Sequence, residues 1–527
     1  MKSRMMVVSI AIVAIILLVS VSVAFALNSN NDKGSEKTVY NEGMNIRGLE
    51  NDGVVTFKGI PYAEAPVGDL RFAPPVEKKQ WTETLDCTKW GNIAIQGTPT
   101  HGENESEDCL NLNIWAPADA KVGSNLPVYV WIHGGAYITG SGQSSSFDGT
   151  VFAKEGVIVV TINYRLGDLG FLSLDSLKEY NSLGTTGNWG TLDQILALQW
   201  VQKNIGKFGG DKDNVTIGGE SAGSFSVFNM IMSPQAEGLF QKAILESGTL
   251  THVMDASKSY DDAVEVSRNI AGKLGADDSA AGIEKLRSMD ALEISDALVF
   301  SPYMTDNHPY ATWPAGDGVV IPEDFVRAVE QGTYNSDVKI IIGYNGAEGS
   351  IFTKSGVTEA EFDNMVDSAF SPADAVKVKE YYAKQTRMTL WDKTSDLTGM
   401  LMIKLGVERM QKLFAANENT TVYAFQFLHC LNDGTIPYHT VEIEFAFGQA
   451  THSGVPFEGD DKIVRDIMHG YWLNFIKNGD PNGNGLTEWT EYSPSADSLM
   501  TFNKNSSEMS VRADASTIAV LNPLYLP

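Results

Sequence analysis

A serine flanked by glycines is the first feature of this chain whose residue types and spacing could do chemistry. Residues 219–223 read Gly-Glu-Ser-Ala-Gly and fit G-x-S-x-G, a pattern that places the serine on a tight turn between a strand and a helix. A short β-branched run precedes the pattern, and a helix-like run, 224–232, follows it. We therefore expect Ser221 to be the nucleophile of an acyl transfer, exposed at a helix N-terminus. The alternative is a serine that only caps a helix.

Acyl transfer also requires hydrogen-bond donors for the oxyanion, and a glycine pair supplies candidates. His133, Gly134 and Gly135 directly follow a run, 127–132, that reads as a strand, which is where such donor loops occur beside a serine turn. Glycines allow backbone N–H groups to point inward. We predict that Gly134, Gly135 and Ala222 donate to the oxyanion. The alternative is a plain glycine turn that closes a strand.

A serine hydroxyl needs a base to take its proton, and beside a serine turn of this kind the acid and then the histidine follow along the chain. The best acid candidate is Glu348, in a loop just after a predicted strand, 338–342, where the active sites of α/β proteins gather. From position alone, Asp324 and Asp337 compete with it.

The histidines downstream of Glu348 are His429, His439, His452 and His469, and only one can be the base. His439 lies in a loop ahead of an apolar and acidic run, a position from which it could reach over the nucleophile. His469 falls within an apolar-periodic helix and reads as a packed or surface residue. His429 ends a strand, which does not disqualify it. We predict His439 as the base.

The elements around these residues indicate an α/β fold. Between about residues 126 and 250, apolar β-type runs alternate with helical patterns, which is typical of a mostly parallel sheet covered on both faces. The predicted strands are 127–132, 157–162, 215–217, 243–245, 338–342 and 422–427, with an amphipathic helix at 192–205. Helical patterns in 255–300 and 355–415 predict helices that pack on or cap the sheet. Without repeats or linkers, residues 38–527 read as one domain with surface insertions.

Composition restricts the possible partners. The chain has 39 basic and 66 acidic residues, a net charge of −27, which repels nucleic acid and anionic membrane surfaces. We therefore expect no nucleic-acid partner. No cluster of His, Cys and acidic residues has metal-ligand spacing, and no phosphate-binding glycine loop follows a strand, so we expect neither a metal nor a cofactor.

The N-terminus has the order of a secretion signal. Basic residues at positions 2 and 4 precede an apolar run, 5–23, and then Ala24-Phe25-Ala26. We expect residues 1–26 to be removed on export, residues 27–37 to form a polar lead-in, and the protein to be secreted. The run is close to membrane-spanning length, so an uncleaved N-terminal anchor is the alternative.

Three cysteines occur, and their spacing favours one bridge between Cys87 and Cys109, which leaves Cys430 free. The alternative is three unpaired cysteines.

Longer motifs make the sequence resemble the type-B carboxylesterase and cholinesterase family, most closely its bacterial para-nitrobenzyl-esterase-like members. The motifs that carry the resemblance span nearly the whole mature chain and are FKGIPYA from residue 57, RFAPP from 71, EDCLNLN from 107, HGGA from 133, NYRLG from 163, GNWGTLDQ from 187, FGGD from 208, GESAGS from 219, AILESG from 243 and HTVEIEFAFG from 439.

The resemblance implies an α/β-hydrolase fold with helical cap insertions and a serine carboxylesterase that acts on small-molecule esters. It also implies a triad of Ser221, Glu348 and His439 and the bridge between Cys87 and Cys109. Glu220 and Ser247 match positions close behind the triad, where they would steady the charged histidine and the acid.

Two departures from the family pattern affect what the resemblance implies. The acid loop reads A-E-G where D-E-G is commoner, which keeps Glu348 but removes a neighbouring charge. Trp90 stands in a different setting from the aromatic choline-binding context of cholinesterases, which argues against cholinesterase specificity.

Two rival functions fit the same resemblance. One is an adhesion or binding protein similar to neuroligin, which keeps the fold without catalysis. The other is a serine hydrolase that acts on amides, lactones or lipids, since the same triad serves all of these reactions.

Overall fold

Apolar β-branched segments of the chain form one large sheet in the structure, a computed structural model that describes residues 37–41, 43–96, 104–249, 260–297 and 312–525. In chain order, the strands of the described residues, of which β12 and β13 form a separate pair, are β1 (Lys37–Asn41), β2 (Ile46–Asn51), β3 (Val54–Pro61), β4 (Leu85–Asp86), β5 (Asn111–Pro117), β6 (Leu126–Ile132), β7 (Ile158–Ile162), β8 (Gly210–Glu220), β9 (Lys242–Glu246), β10 (Lys339–Asn345), β11 (Thr421–Phe427), β12 (Thr451–His452), β13 (Val455–Pro456), β14 (Ser498–Asn503) and β15 (Ser506–Val511).

Thirteen of these strands join one sheet in the order β1-β2-β3-β5-β7-β6-β8-β9-β10-β11-β14-β15, with β4 paired to β2. All neighbouring pairs from β7 through β14 are parallel, and the antiparallel pairs lie toward the two ends of the sheet. Parallel strands end at one common edge, so the loops after β6, β8, β9 and β10 lie side by side. The predicted mostly parallel sheet is confirmed.

Helices cover both faces of the sheet and extend beyond its edge. They are α1 (Thr150–Lys154), α2 (Gly167–Phe171), α3 (Trp189–Asn204), α4 (Ala222–Met232), α5 (Tyr260–Lys273), α6 (Ala280–Ser288), α7 (Ala291–Asp296), α8 (Phe325–Glu330), α9 (Glu359–Ala369), α10 (Pro372–Lys384), α11 (Leu390–Gly399), α12 (Leu405–Ala415), α13 (Ile443–Ala446), α14 (Gly459–Asn478) and α15 (Ala515–Tyr525). A π-helical turn, Met400–Lys404, joins α11 to α12.

The helix predicted at 192–205 differs from the expectation. It begins earlier, as α3, and most of its residues are buried, including polar Thr191, Asp193 and Gln194. Neighbouring elements cover nearly its whole circumference, and two of its polar side chains have partners: Asp193 binds Arg165, and Gln194 donates to Ser226 Oγ at 2.9 Å. The helix is therefore a core element and not an amphipathic surface helix.

Three apolar clusters make up the core. Two lie on the faces of the sheet, and the third joins α9, α10, α11 and the π-helical turn to α15. Within the described ranges, no helix has the length and hydropathy needed to cross a membrane. The predicted secretion signal, residues 1–26, lies outside the described residues.

Candidate active site

Ser221 occupies the turn between β8 and α4 in a backbone conformation that side chains rarely adopt, with φ of 55° and ψ of −126°. The flanking glycines are required by packing: a Cβ on Gly223 would lie 2.0 Å from the carbonyl oxygen of Ile132, and one on Gly219 would lie 2.5 Å from Gly223. The Ser221 N–H donates to the carbonyl of Glu246 at 3.0 Å. The sheet thus holds a strained turn that presents the serine, which is only partly buried, at the carboxyl edge.

Glu348 and His439 form a buried pair beside this turn. Glu348 begins a short helical turn after β10, and its Oε2 lies 2.6 Å from Nδ1 of His439. Its Oε1 accepts hydrogen bonds from Ser247 Oγ and from the backbone N–H of Asn345, both at 2.6 Å. A carboxylate that takes two donors on one oxygen has its other oxygen free to accept a proton-bearing Nδ1, which favours that tautomer of His439.

The second imidazole nitrogen points toward the end of β8. Nε2 of His439 makes no hydrogen bond in the described part of the chain, and Oε1 of Glu220 lies 3.2 Å from it. Glu220 is the residue before Ser221, so Nε2 faces the strand end that carries the serine. The other nitrogen, Nδ1, binds the Glu348 carboxylate. Hydrogen bonds of a catalytic base often tighten only when substrate is bound.

Glu220 and Glu348 belong to a cluster of four buried carboxylates, whose other members, Glu246 and Glu442, sequence reasoning missed. Burial, together with the neighbouring carboxylates, raises the pKa of Glu220 and of Glu246 well above the usual range. Burial and the Glu348 charge raise the pKa of Glu442 to about 7. Carboxyl groups this close cannot all ionise together, so the cluster retains protons near neutral pH.

Glu246 and Glu442 are held by specific donors. Trp472 Nε1 donates to Oε1 of Glu246 at 2.9 Å. Ser247 Oγ lies 3.3 Å from Oε1 of Glu442, and the Asn345 side-chain amide donates to its Oε2. The available sequence signal was an acidic residue inside an apolar motif: Glu246 directly precedes Ser247, and Glu442 follows His439 within HTVEIEFAFG.

The predicted oxyanion donors lie next to the serine turn. A Cβ on Gly134 would be 3.2 Å from Cβ of Ser221, so this loop packs directly on the turn. Among hydrogen bonds between described residues, Gly134, Gly135, Ala136 and Ala222 donate none of their backbone N–H groups. Gly135 and Ala136 have φ of 107° and 55°, which turns successive peptide groups out of the strand direction. Ala136 is therefore a fourth donor candidate, which the sequence reasoning did not include.

The competing candidates lie elsewhere and have other partners. His429 Nε2 is 2.7 Å from Asp461, and His452 Nδ1 is 2.6 Å from Glu444. His469 Nδ1 is 2.9 Å from the Ala446 carbonyl.

The alternative acids are also placed outside this cluster. Asp324 accepts the Arg327 N–H and caps α8. Asp337 is exposed just before β10.

The predicted bridge between Cys87 and Cys109 is not formed in the structure. Both are free, buried thiols in the apolar cluster on one face of the sheet, and Cys430 is free and exposed. Burial raises the pKa of Cys87 to about 12 and that of Cys109 still further above its usual range. Because thiolates, and not thiols, take part in disulfide chemistry, burial of the two thiols disfavours it.

No group of three or more His, Cys, Asp or Glu residues in the described ranges could hold a metal ion. The site consists of a serine, an imidazole, carboxyl groups and backbone donors, which together suit acyl transfer by proton shuttling.

Comparison with known proteins shows similarity along almost the whole chain. The sequence model of the Carboxylesterase family matches residues 35–520. Carboxylesterase 5A of Canis lupus familiaris is 34% identical over 505 residues, which cover 88% of this chain and 83% of that protein. Para-nitrobenzyl esterase of Bacillus subtilis (strain 168) is 33% identical over 469 residues, which cover 85% of this chain and 91% of that protein. A solved structure of a Geobacillus stearothermophilus carboxylesterase matches with a TM-score of 0.79 and 34% identity. The match covers 90% of this chain and 98% of that one. The matched range contains every residue of the site.

Proposed function

The chain belongs to the carboxylesterase family and is a type-B carboxylic-ester hydrolase with the α/β-hydrolase fold, and from this premise we propose that Ser221, His439 and Glu348 form its catalytic triad. The resemblance to para-nitrobenzyl-esterase-like proteins that the motifs indicate is confirmed. We propose small-molecule carboxylic esters as the substrates.

One observation carries the assignment. The His439 imidazole bonds Glu348 through Nδ1 and turns Nε2 toward the strand end that carries Ser221. A base must accept the serine proton at one nitrogen while the other is held by an orienting acid. In the described part of the chain, no other histidine is held by Glu348 beside a serine on a strained turn.

The reaction then runs in two halves. Oγ of Ser221 attacks the ester carbonyl carbon while its proton passes to Nε2 of His439, and the proton goes to the alcohol as the carbon–oxygen bond breaks. Water then attacks the acyl carbon and gives a proton to Nε2, which passes it to Oγ of Ser221 as the bond between Oγ and the acyl carbon breaks and the carboxylic acid leaves. Backbone N–H groups of Gly134, Gly135 and Ala222, with Ala136 as a further candidate, stabilise each tetrahedral oxyanion.

We also propose that the protein is exported. Residues 1–26 have the basic, apolar and small-residue order of a secretion signal, and the match to the family begins only at residue 35. N-terminal sequencing of protein recovered from outside the cytoplasm should begin at Leu27. Protein that is found only in membranes with residue 1 retained would instead support the uncleaved anchor.

The test of the triad is hydrolysis of short para-nitrophenyl esters together with labelling by a fluorophosphonate probe. Ser221→Ala should lose labelling and at least about 10³-fold in kcat/KM. Ser267→Ala, which removes another buried serine on α5, should change neither. An unlabelled, inactive wild type would favour the adhesion protein, and labelling without ester turnover would favour amides, lactones or lipids.

A further inference from the structure

A buried lysine lies directly behind the loop that carries Glu348. The Lys404 side chain is 4% exposed, and its Nζ donates to the carbonyl oxygen of Gly346 at 2.8 Å. The same Nζ lies 3.1 Å from Oδ2 of Asp514, whose side chain is 11% exposed. A buried ammonium is retained only where its charge and its protons have partners, and here one partner is the backbone two residues before Glu348.

Local structure delivers this lysine to the loop. Lys404 ends the π-helical turn between α11 and α12, a type of turn that is frequent at functional sites. The second half of α11 packs tightly on the Glu348 turn. A Cβ on Gly349 would lie 1.9 Å from the carbonyl oxygen of Ser395 on this helix. The helical unit and the acid loop therefore contact each other at Gly349 and, through Lys404, at Gly346.

The partner carboxylate ties the same loop to the end of the chain. Oδ1 of Asp514, just before α15, accepts hydrogen bonds from Tyr344 on β10 at 2.9 Å and from the Gln426 amide on β11 at 3.2 Å. β10 runs directly into the acid loop, and Gly346 also donates its N–H to Phe427 at the end of β11. Lys404 and Asp514 thus brace both sides of the strand end from which Glu348 projects.

We propose that Lys404 is a positioning residue for ester hydrolysis, which holds the Gly346 carbonyl and adds a fixed positive charge behind Glu348 so that this side chain stays aligned on His439. This inference rests on the triad proposed above. Lys404 touches neither the reacting atoms nor the substrate, and it acts through the loop.

The charges around Lys404 set the sign of its effect. The carboxylates that face it are Asp514, Asp396 on α11 and Glu348, and the Tyr344 ring lies 5.8 Å away. Arg512, the other nearby cation, binds Asp497 and donates to the Tyr344 hydroxyl. Burial lowers the pKa of Lys404, but the carboxylates of Asp514 and Asp396 more than offset this and raise it, so the side chain stays charged. Removal of this positive charge makes an added proton at the site more favourable, which moves the acid limb of kcat/KM to higher pH.

The experiment compares three variants of the full chain by kcat, KM, pH profile and thermal unfolding. Lys404→Met should lower kcat about 10-fold with little change in KM, because the loop loses its anchor. Its acid limb should rise by roughly 0.5 pH unit, less than the about 1 to 3 units of a charge in direct contact. Asp514→Asn keeps the Lys404 donor to Gly346 and removes a negative charge, so its kcat should fall less than that of Lys404→Met while its acid limb moves to lower pH.

The double variant Lys404→Met with Asp514→Asn separates positioning from stability. It removes Lys404 together with its contacting carboxylate, so it should unfold at a higher temperature than Lys404→Met alone. It still lacks the donor to Gly346, so its kcat should stay low. Lys242→Met is the matched control, since this lysine is also buried but donates to the Ile476 carbonyl at the opposite edge of the sheet. It should lose stability without a change in kcat or in the acid limb.

Two results would overturn the inference: acid limbs that coincide in all folded variants, or wild-type kcat in the double variant. Either result, combined with an inactive Ser221→Ala variant, leaves the triad intact and rejects only Lys404. If Ser221→Ala stays active, the triad itself fails, whatever the lysine variants do.

Discussion

Oε1 of Glu220 lies 3.2 Å from Nε2 of His439, the nitrogen that the proposed mechanism requires to take the Ser221 proton. A carboxylate so close would hold an imidazolium and compete with the serine for it. Burial and the three neighbouring carboxylates instead raise the pKa of Glu220 well above its usual range, which favours its neutral form. In that form the same contact is a dipole beside the base, and the carboxyl group that binds Nδ1 of His439 is Glu348.

A neutral Glu220 predicts that Glu220→Gln changes the pH profile little. An amide resembles a protonated carboxyl group, so the acid limb of kcat/KM should move by less than about 0.3 pH unit. An ionised Glu220 would instead stabilise the protonated imidazole. Its replacement by glutamine would then move the acid limb of kcat/KM to lower pH by about 1 unit or more. The measurement is kcat/KM for a short para-nitrophenyl ester from pH 4.5 to 9, and a large downward shift would contradict the prediction.

The hydrogen bonds of Glu348 predict a severe effect of Glu348→Gln. Ser247 and the Asn345 N–H both donate to Oε1, so the amide oxygen should occupy that place and the NH₂ group should face Nδ1 of His439. An NH₂ group donates to Nδ1, which forces the proton of the neutral imidazole onto Nε2 and removes the acceptor for the serine proton. We expect a loss of about 10³- to 10⁴-fold in kcat with an unchanged fold, as for a wrong-tautomer variant.

Titration of Nδ1 and Nε2 by nuclear magnetic resonance should show the reversed tautomer in Glu348→Gln. A variant that keeps more than a tenth of wild-type kcat would contradict the assignment of Glu348 as the orienting acid.

The raised pKa of Glu442 predicts a stability that falls as pH rises. Between the unfolded value of 4.5 and the folded value of about 7, the native protein holds a proton that the unfolded chain has released. The free energy of unfolding therefore decreases through this window, by up to about 3 kcal/mol for this group. Glu442→Gln cannot release that proton, so its stability should fall less between pH 5 and 7. Glu330→Gln, on an exposed position of α8, should follow the wild type. Parallel curves for all three proteins in urea unfolding would show that Glu442 is ionised in the native state.

The free thiols predict a specific count in a titration with a chromogenic disulfide reagent. Only Cys430 is exposed, so the native protein should react at one thiol, and Cys430→Ser should abolish that reaction. Unfolding in denaturant should expose all three thiols, because Cys87 and Cys109 are unpaired and buried. A total of one thiol after unfolding would show that these two residues are bridged in the purified protein.

Several parts of this site could be predicted from the sequence because they depend on neighbours along the chain. Around Ser221, the sequence specifies a strand by its β-branched residues, then a tight turn by two glycines, and then a helix by its apolar periodicity. Such signals can be read because backbone conformation and side-chain periodicity are local properties. The parallel sheet follows from alternating strand and helix patterns for the same reason. The motifs also indicated the family, which the comparisons confirm. The roles of Ser221, Glu348 and His439 stay predictions until the variants are measured.

Tertiary structure alone decided which distant residues meet. From position, His429, His439 and His452 were all open, and only the order of β8, β9, β10 and β11 brings the imidazole of His439 to Glu348 and Glu220.

Burial is likewise a property of the packed chain. It makes Cys87 and Cys109 buried free thiols and α3 a core helix, and it raises the pKa of Glu220, although nothing in the local sequence distinguishes these residues. Lys404 and Gly346 are in contact for the same reason, although they are far apart in sequence. Packing and desolvation set such contacts, and spacing along the chain does not.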